Sequence, residues 1–209
     1  MTNELSHLSS DATDYPYPES LRTYRYSKTL PTISAIGNLS ILQNKTIALF
    51  CSIQCPGDLI LKTYDLAVAL REQQQTVISG FHSPMEQECL TLLLRGTQPV
   101  IYCPARSLDN LRLKSEWKTA IEQNRLLLLS PFATHQHRAT AELAQTRNQF
   151  VAAIADAIFI AYANPNGKTI AFAQQILAWD KPLFTFESDN NRELIAMGAK
   201  PLEPPTLFM

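Results

Sequence analysis

The stretch TIALFCSIQCPGDLILKTYDLAVALREQQQTVISGF, residues 46–81, contains a complete strand–helix–strand unit. Its two ends, TIALFCS (46–52) and TVISGF (76–81), are short apolar runs typical of buried strands. The segment between them, residues 58–75, has helical periodicity. Continuously apolar strands joined by a helix favour parallel pairing, because helices then cover both faces of the sheet. The stretch therefore predicts an α/β fold.

The same alternation continues toward the C-terminus. Further apolar runs are PVIYCPA (99–105), LLLLSP (126–131), AIFIAYA (157–163) and PLFTFE (182–187). Residues 107–123 and 138–155 have helical periodicity and the length of a helix. This repetition predicts a three-layer, Rossmann-like fold with a mainly parallel sheet and helices on both faces.

One domain is the expected organisation of the 209 residues. Residues 1–30 are polar and lack a clear period, so we expect an N-terminal arm there. The Rossmann-like domain is predicted to span residues 31–200, followed by a short tail at 201–209.

Charge and hydropathy limit the classes of partner. The formal net charge is −1, so no overall basic field draws the chain to nucleic acid, and a DNA site must be a local patch. No apolar run approaches the roughly 18 residues that span a bilayer, and the first residues lack the blocks of a signal peptide. We expect a cytoplasmic protein that does not enter a membrane.

A metal site is not favoured. The four cysteines lie in three segments, and the only close pair has the spacing C-x3-C, at Cys51 and Cys55. Structural zinc sites usually come from tighter paired spacings, so reduced and mostly buried thiols are the better interpretation. His135 and His137 form H-x-H without an acidic or cysteine ligand nearby, which favours a solvated loop.

Parallel strands with right-handed crossovers place all their C-terminal ends at one edge of the sheet, where ligands bind. Ser52 and Gly57 follow the first of these strands, and Ser79-Gly80 ends the second. Small residues at such ends allow close approach of a ligand. An ordinary turn from strand to helix explains them equally well.

The loop ANPNGKT (163–169) follows an apolar strand and opens a helix. Its residues Asn166, Gly167, Lys168 and Thr169 are candidates for holding an anion at the helix N-terminus. The pattern of a phosphate loop is incomplete, because Tyr162 stands where the first glycine is required. A plain turn before a helix is as good an interpretation.

Arg147 and Asn148 precede the apolar run FVAAIADAIFIAYA, where a cation needs either a carboxylate or a bound phosphate as partner. Taken alone, this position favours a structural ion pair. Arg106 and Arg138 lie near the same predicted edge, and with Arg147 and Lys168 they are candidates for a cationic funnel. Phe81, Tyr102 and Phe132 are candidate stacking faces for bases, although core packing is the better expectation for them.

Signatures of catalysis are missing from the sequence. It contains no nucleophile elbow, no G-x-G-x-x-G fingerprint and no obvious carboxylate pair. We therefore expect neither a catalytic residue nor a cofactor.

Five segments, in order, resemble the central domain of the DNA-processing protein A (DprA/Smf) family. They are YPESL (17–21), Gly37-Asn38, CSI (51–53), Ser79-Gly80 and RNQFVAAIADAIFIAYA (147–163). The last is the most specific, since residue types and helix-to-strand spacing both agree. The resemblance runs from about Tyr17 to Ala196.

The resemblance implies a non-enzymatic, homodimeric protein that binds single-stranded DNA and loads a RecA-type recombinase in recombination or natural transformation. One departure bears directly on binding. The family's Gly-Ser-Arg arginine falls on Ile53, which removes a phosphate contact.

Two other functions stay open at this point. A small-nucleotide sensor of the same Rossmann-like superfamily would use the same edge of the sheet. A nucleoside-monophosphate phosphoribohydrolase is less favoured, because NPNGKT keeps only one of the signature glycines and no acid follows it.

Overall fold

The computed structural model of the chain describes residues 5–10, 17–24 and 29–202. These residues form one sheet with helices on both faces. The strands are β1 (Ser6–Leu8), β2 (Ile33–Gly37), β3 (Thr46–Cys51), β4 (Thr76–Ser79), β5 (Val100–Tyr102), β6 (Leu126–Ser130), β7 (Ala157–Tyr162), β8 (Leu183–Phe186) and β9 (Lys200–Leu202). The α-helices are α1 (Ser20–Thr23), α2 (Gly57–Glu72), α3 (Pro84–Leu93), α4 (Ser115–Glu122), α5 (Ala141–Ile154), α6 (Lys168–Ala178) and α7 (Arg192–Met197).

The sheet has the strand order β1-β2-β6-β5-β4-β3-β7-β8-β9. The pairs β1–β2 and β2–β6 are antiparallel, and all the other pairs are parallel. The predicted three-layer α/β fold with a mainly parallel sheet is therefore confirmed.

The side chains of strand β3 show that the sheet is covered on both faces. Ala48 and Phe50 pack into one hydrophobic core, whereas Ile47, Leu49 and Cys51 pack into the core on the other side. Successive side chains of a strand point to opposite faces, so a continuously apolar strand must be buried on both. All six residues of β3 are buried.

Helices α2 and α5 lie where the periodicity predicts them, but the predicted helix over 107–123 is wrong in its first half. Only Ser115–Glu122 is helical. The hydroxyl of Ser107 bonds the Asp109 carboxylate and accepts from the Asp109 backbone N–H, and Asn110 has a left-handed φ of 54°. These local bonds compete with the helix and hold a turn instead.

The part of the predicted N-terminal arm that the structure describes packs on the domain. Ser6–Leu8 pairs with β2, and Leu8 and Leu21 are buried in the core. At the end of β2, Gly37 has a φ of +116°, and a Cβ there would lie 2.4 Å from the Leu126 carbonyl oxygen. The arm, domain and tail boundaries stay a prediction, and residues 203–209 of the tail lie outside the described residues.

The chain order reverses between β3 and β7. From β3 the chain proceeds outward through β4, β5 and β6, and β7 then returns to the other side of β3. Such a switch point opens a crevice beyond the carboxyl ends of the two strands, where α/β proteins bind ligands. Within the described ranges, no helix is both long and apolar enough to cross a membrane.

Candidate nucleic-acid interface

A cleft with two connected chambers lies at the carboxyl ends of β3 and β7, and we call it the switch-point cleft. The outer chamber, of about 440 Å³, is lined by Cys51, Ser52, Ile53, Gln54, His82, Ser83, Glu86, Ala144, Arg147, Asn148, Asn164, Gly167, Lys168 and Thr169. The inner chamber, of about 390 Å³, is lined by Phe50, Cys51, Ile53, His82, Glu86, Ala141, Ala144, Gln145, Asn148, Lys168, Thr169, Ala171, Phe172 and Gln175.

Ser52 joins the two loops that form the outer chamber. Its backbone N–H donates to the Tyr162 carbonyl oxygen over 2.9 Å, and its hydroxyl lies 2.9 Å from that of Thr169. The same hydroxyl accepts from the Asn164 backbone N–H at 3.0 Å. The loop after β3 therefore holds the loop before α6 in place.

Helix α6 begins in this chamber with an uncapped N-terminus. Its N-cap residue, Gly167, has no side chain to accept from the first N–H groups. Among the described residues, the backbone N–H groups of Lys168 and Thr169 find no acceptor. Unpaired N–H groups, the helix dipole and the exposed Lys168 ammonium together favour an anion at this position.

Helix α3, on the other side of the chamber, has an N-terminus that is capped by side chains. The Ser83 hydroxyl accepts from the Glu86 backbone N–H, and the Glu86 carboxylate accepts from the N–H groups of His82 and Ser83 at 2.7 and 3.3 Å. The other Glu86 oxygen accepts from the Cys51 backbone N–H at 2.9 Å. Glu86 thus connects the end of β3 to α3.

Arg147 is a buried cation at the base of the outer chamber, only 3% exposed. Its Nη1 donates to the Cys103 carbonyl oxygen at 3.0 Å, and its Nε donates to Asn148 Oδ1 at 2.7 Å. The ion pair that the apolar context favours is not formed, since no carboxylate lies in contact with Arg147 in the described residues. A backbone carbonyl and a neighbouring amide satisfy the guanidinium instead.

The guanidinium of Arg147 leaves no space for a side chain at Gly80. A Cβ at position 80 would lie 1.6 Å from Arg147 Nη1 and 1.8 Å from its Cζ, so the guanidinium could not keep its position beside any other residue type. Ser79, beside it, is fully buried: its hydroxyl donates to the Leu49 carbonyl oxygen and accepts from the Phe81 N–H. Both predicted residues therefore shape the wall behind the cleft without lining it.

Charge at the base of the cleft is balanced between Glu86 and Arg147. Burial raises the pKa of the Glu86 carboxyl, and its backbone N–H donors and the Arg147 charge act against this rise. Burial likewise lowers the pKa of Arg147, opposed by Glu86. Among the described lining residues, Lys168 is then the one exposed lysine or arginine.

Six of the predicted site residues line the outer chamber together: Ser52, Arg147, Asn148, Gly167, Lys168 and Thr169. Four others do not line either chamber: Gly57, Arg106, Arg138 and Asn166. Of the four cations proposed as a funnel, the structure brings only Arg147 and Lys168 together. Whether the outlying residues contact a ligand stays a prediction.

The aromatic residues proposed as stacking faces pack in the core. Phe81 and Phe132 are 3% and 6% exposed, and Phe81 stacks on Tyr102, which in turn contacts Trp117. The cleft instead contains Phe50 and Phe172, which the strand and helix patterns assign only to packing. Glu86 was also missed, although Ser83-Pro84 followed by Glu86 is the pattern of a capping box.

The cysteines are all free, and three of the four are buried. A hydrogen bond with the Cys55 thiol, together with burial, raises the pKa of Cys51, and the same bond lowers the pKa of Cys55. Across the described residues, no three His, Cys, Asp or Glu side chains are grouped as metal ligands.

A larger cavity, of about 580 Å³, lies at the opposite edge of the sheet beside Gly37 and Asn38. Glu19 is the one charged residue among its described lining residues. Because the described lining residues include no cation, they do not suit a phosphate, and the switch-point cleft is the better candidate site.

Comparison with known proteins identifies the family to which the chain is similar. Residues 10–207 match the model of a family described as DNA recombination-mediator protein A. Comparison with curated proteins returns no match.

Two similar solved structures are DNA processing protein A from Streptococcus pneumoniae and from Helicobacter pylori, the latter described for its single-stranded DNA binding mode. The first superposes with a TM-score of 0.76 at 17% identity, covering 96% of this chain and 71% of that chain. The second has a TM-score of 0.73 at 21% identity, covering 95% of this chain and 90% of that chain. A more distant similarity is to a molybdenum cofactor binding protein from Rippkaea orientalis, with a TM-score of 0.52 at 11% identity over 73% of this chain and 83% of that chain.

Proposed function

The chain belongs to the DNA recombination-mediator protein A family of DNA-processing proteins, and from this premise we propose that it binds single-stranded DNA in the switch-point cleft. The observation that carries the proposal is the uncapped N-terminus of α6 beside the exposed Lys168. The relative from Helicobacter pylori is described as binding single-stranded DNA, and its fold is similar to this one.

A phosphate of the strand would lie at the start of α6. There it accepts from the backbone N–H groups of Lys168 and Thr169 and from the Thr169 hydroxyl, and the Lys168 ammonium neutralises its charge. Arg147 lies beneath the chamber, where Glu86 balances its charge, so Lys168 supplies the net positive charge. Phosphate contacts of this kind position a strand without reading its sequence.

Ile53 sets this chain apart from the family pattern. It lines the mouth of both chambers and is 69% exposed, where an arginine would offer a phosphate contact. Its exposed side chain suits the apolar face of a base better than a phosphate. We therefore expect weak binding with a small dependence on salt, carried by few phosphate contacts.

The family also supports the remaining parts of the proposal. We place the protein in recombination or natural transformation in the cytoplasm, as a homodimer that loads a RecA-type recombinase and catalyses no reaction itself. Free base released from a nucleoside monophosphate would contradict the non-enzymatic part. Affinity for a mononucleotide that equals the affinity for an oligonucleotide would favour the small-nucleotide sensor.

The test is a fluorescence-anisotropy titration of a labelled oligothymidylate at low and moderate salt. Lys168→Gln should weaken binding and reduce the slope of log K against log salt by about 0.7, the value of one single-strand phosphate contact. The matched control is Lys45→Gln, because Lys45 is exposed and precedes β3, at the opposite edge of the sheet from Ser52. Equal losses in the two variants, or no binding at low salt, would refute the proposal.

A further inference from the structure

Two thiols lie in contact where the chain leaves β3. Cys51 is the last residue of the strand and is buried, whereas Cys55 lies in the loop before α2 and is partly exposed. The Cys51 thiol donates a hydrogen bond to the Cys55 sulfur, and both side chains pack against the same hydrophobic core. Because a disulfide needs the two side chains to face each other at short range, this contact is a favourable starting point for one.

The backbones of the two cysteines are held to different degrees. Cys51 pairs with β7, and its backbone N–H donates to the Glu86 carboxylate at 2.9 Å. The N–H groups of residues 53–55, in contrast, form no backbone hydrogen bond within the described part of the chain. Cys55 can therefore move toward Cys51 while the strand and its hydrogen bonds stay in place.

The hydrogen bond between the thiols gives them different roles. It raises the pKa of Cys51, which is also raised by burial, so Cys51 keeps its proton. The same bond lowers the pKa of Cys55, against the opposing effects of burial and of the Asp58 carboxylate. The thiolate is the reactive form of cysteine. The accessible Cys55 is thus the nucleophile, and Cys51 is the adjacent thiol that a redox-sensitive cysteine requires.

The other two cysteines lack these features. Cys89 and Cys103 are each 0% exposed, and burial raises the pKa of both thiols. Cys103 also packs in the core on the other face of the sheet from the pair. Buried, protonated thiols are inert, so an oxidant in solution reaches Cys55 first.

We propose that Cys55 and Cys51 form a modification site, a dithiol that a hydroperoxide converts into a disulfide and that a reducing thiol restores. The Cys55 thiolate attacks one peroxide oxygen, the O–O bond breaks, and the sulfur is oxidised to a sulfenic acid as hydroxide leaves. The Cys51 sulfur then bonds to the Cys55 sulfur, the S–O bond breaks, and the hydroxyl group leaves with the Cys51 proton as water. In total, two thiols and one hydrogen peroxide give one disulfide and two waters.

The disulfide would also change the mouth of the switch-point cleft. Ser52, Ile53 and Gln54 lie between the two cysteines and line the outer chamber. Ser52 is fixed by its bonds to the loop before α6, so the movement of Cys55 falls on the two residues after it. The dithiol itself does not depend on the proposed DNA binding, and its test uses no DNA.

The experiment treats the reduced full chain with hydrogen peroxide, alkylates the remaining free thiols and identifies them by mass spectrometry after trypsin digestion. Trypsin cleaves after Lys45 and Lys62, so residues 46–62 form one peptide that contains both cysteines of the pair. Cys89 and Cys103 fall in two other peptides and serve as internal controls.

Peptide 46–62 should lose both alkylation sites and become lighter by two hydrogen atoms than the unalkylated reduced peptide. Cys89 and Cys103 should stay alkylated, and dithiothreitol should restore the pair by thiol–disulfide exchange. The backbone amide NMR signals of Ile53 and Gln54 should shift on oxidation and return on reduction. Four thiols that all remain alkylated, or oxidation of Cys89 and Cys103 as fast as the pair, would overturn the proposal.

Two variants with the same substitution separate the roles of the thiols. In Cys51→Ser, the sulfenic acid at Cys55 should accumulate and be labelled by dimedone, because no adjacent thiol removes it. In Cys55→Ser, the peptide should lose its reaction with peroxide, since the remaining Cys51 is buried and protonated. Reaction of Cys55→Ser at the wild-type rate would overturn the assignment of Cys55 as the nucleophile. The wild-type peptide result holds independently of how either variant folds.

Discussion

Replacing Gly80 by alanine would place a methyl carbon inside the space of the Arg147 guanidinium. The new Cβ would lie 1.6 Å from Nη1, 1.8 Å from Cζ and 2.4 Å from Nε, so one of the two groups has to move. The backbone at Gly80 is held by β4 and by the buried Ser79 hydroxyl, which bonds the chain on both sides. We therefore expect the arginine to be displaced.

The cost follows from what Arg147 then loses. Its hydrogen bonds to the Cys103 carbonyl oxygen and to Asn148 Oδ1 are broken, and the Cys103 carbonyl is left buried. Hydrogen bonds to charged groups contribute about 1.5–3 kcal/mol each, and some of this is recovered when the guanidinium reaches water. Gly80→Ala should therefore lower the free energy of unfolding by about 2–4 kcal/mol. Each kcal/mol corresponds to a decrease in Tm of roughly 2–4 °C in a chain of this size.

Urea unfolding monitored by tryptophan fluorescence measures the effect. Gly57→Ala is the control, because Gly57 is exposed and a Cβ there has nothing within 4 Å. In an Arg147→Ala background, Gly80→Ala should cost much less, since the clash is gone. A Gly80→Ala protein as stable as Gly57→Ala, or an equal cost in both backgrounds, would refute the packing argument.

Two further predictions concern buried charges. Lys181 is 5% exposed, and its Nζ donates to the carbonyl oxygens of three residues at the end of α5. Lys181→Met should therefore lower the free energy of unfolding in urea by about 2–4 kcal/mol, whereas Lys200→Met, at an exposed position, should leave it unchanged. Equal unfolding midpoints for the two variants would contradict this. Because burial raises the pKa of Glu86, the folded protein binds its proton more tightly than the unfolded chain, and unfolding stability falls as the pH rises from the ordinary Glu value through the raised one. The free energy of unfolding of wild type minus that of Glu86→Gln should decline over that interval. If this difference instead rises with pH, the carboxyl ionises more readily in the folded protein, which would contradict the prediction.

The local pattern of apolar residues in the sequence is sufficient to predict most strands of the sheet. Strands such as β3 and β7 are continuously apolar and flanked by helical segments, so their parallel pairing could be predicted from the sequence. The antiparallel strand β2 could not, because no crossover α-helix links it to β3 in the described residues, so the helix-and-strand alternation does not indicate its partner. The first half of the segment 107–123 has helical periodicity, but side-chain bonds within residues 107–109 override it.

Some features of the candidate site could likewise be predicted from the sequence, and others could not. The loop 163–169 was predictable, since the turn residues and the following helix lie together in the sequence. The packing of Arg147 against Gly80 was not, because it depends on how α5 crosses the end of β4. The place of Arg106 after a strand predicts a position at the cleft, whereas its Nε donates to the adjacent Ser107 carbonyl oxygen and the residue does not line either chamber. Nearness to the edge of a sheet is thus a weaker guide than position at its switch point.

The most direct test of the account is an NMR titration of isotope-labelled protein with a short oligothymidylate. We expect the backbone amide signals of Gly167, Lys168 and Thr169 to shift together with the side-chain amide of Asn148, because these groups line the switch-point cleft. Signals from the opposite edge of the sheet, such as Asn38, should stay in place. Shifts confined to that edge, or no shifts in the loop before α6 at saturating DNA, would contradict binding in the cleft.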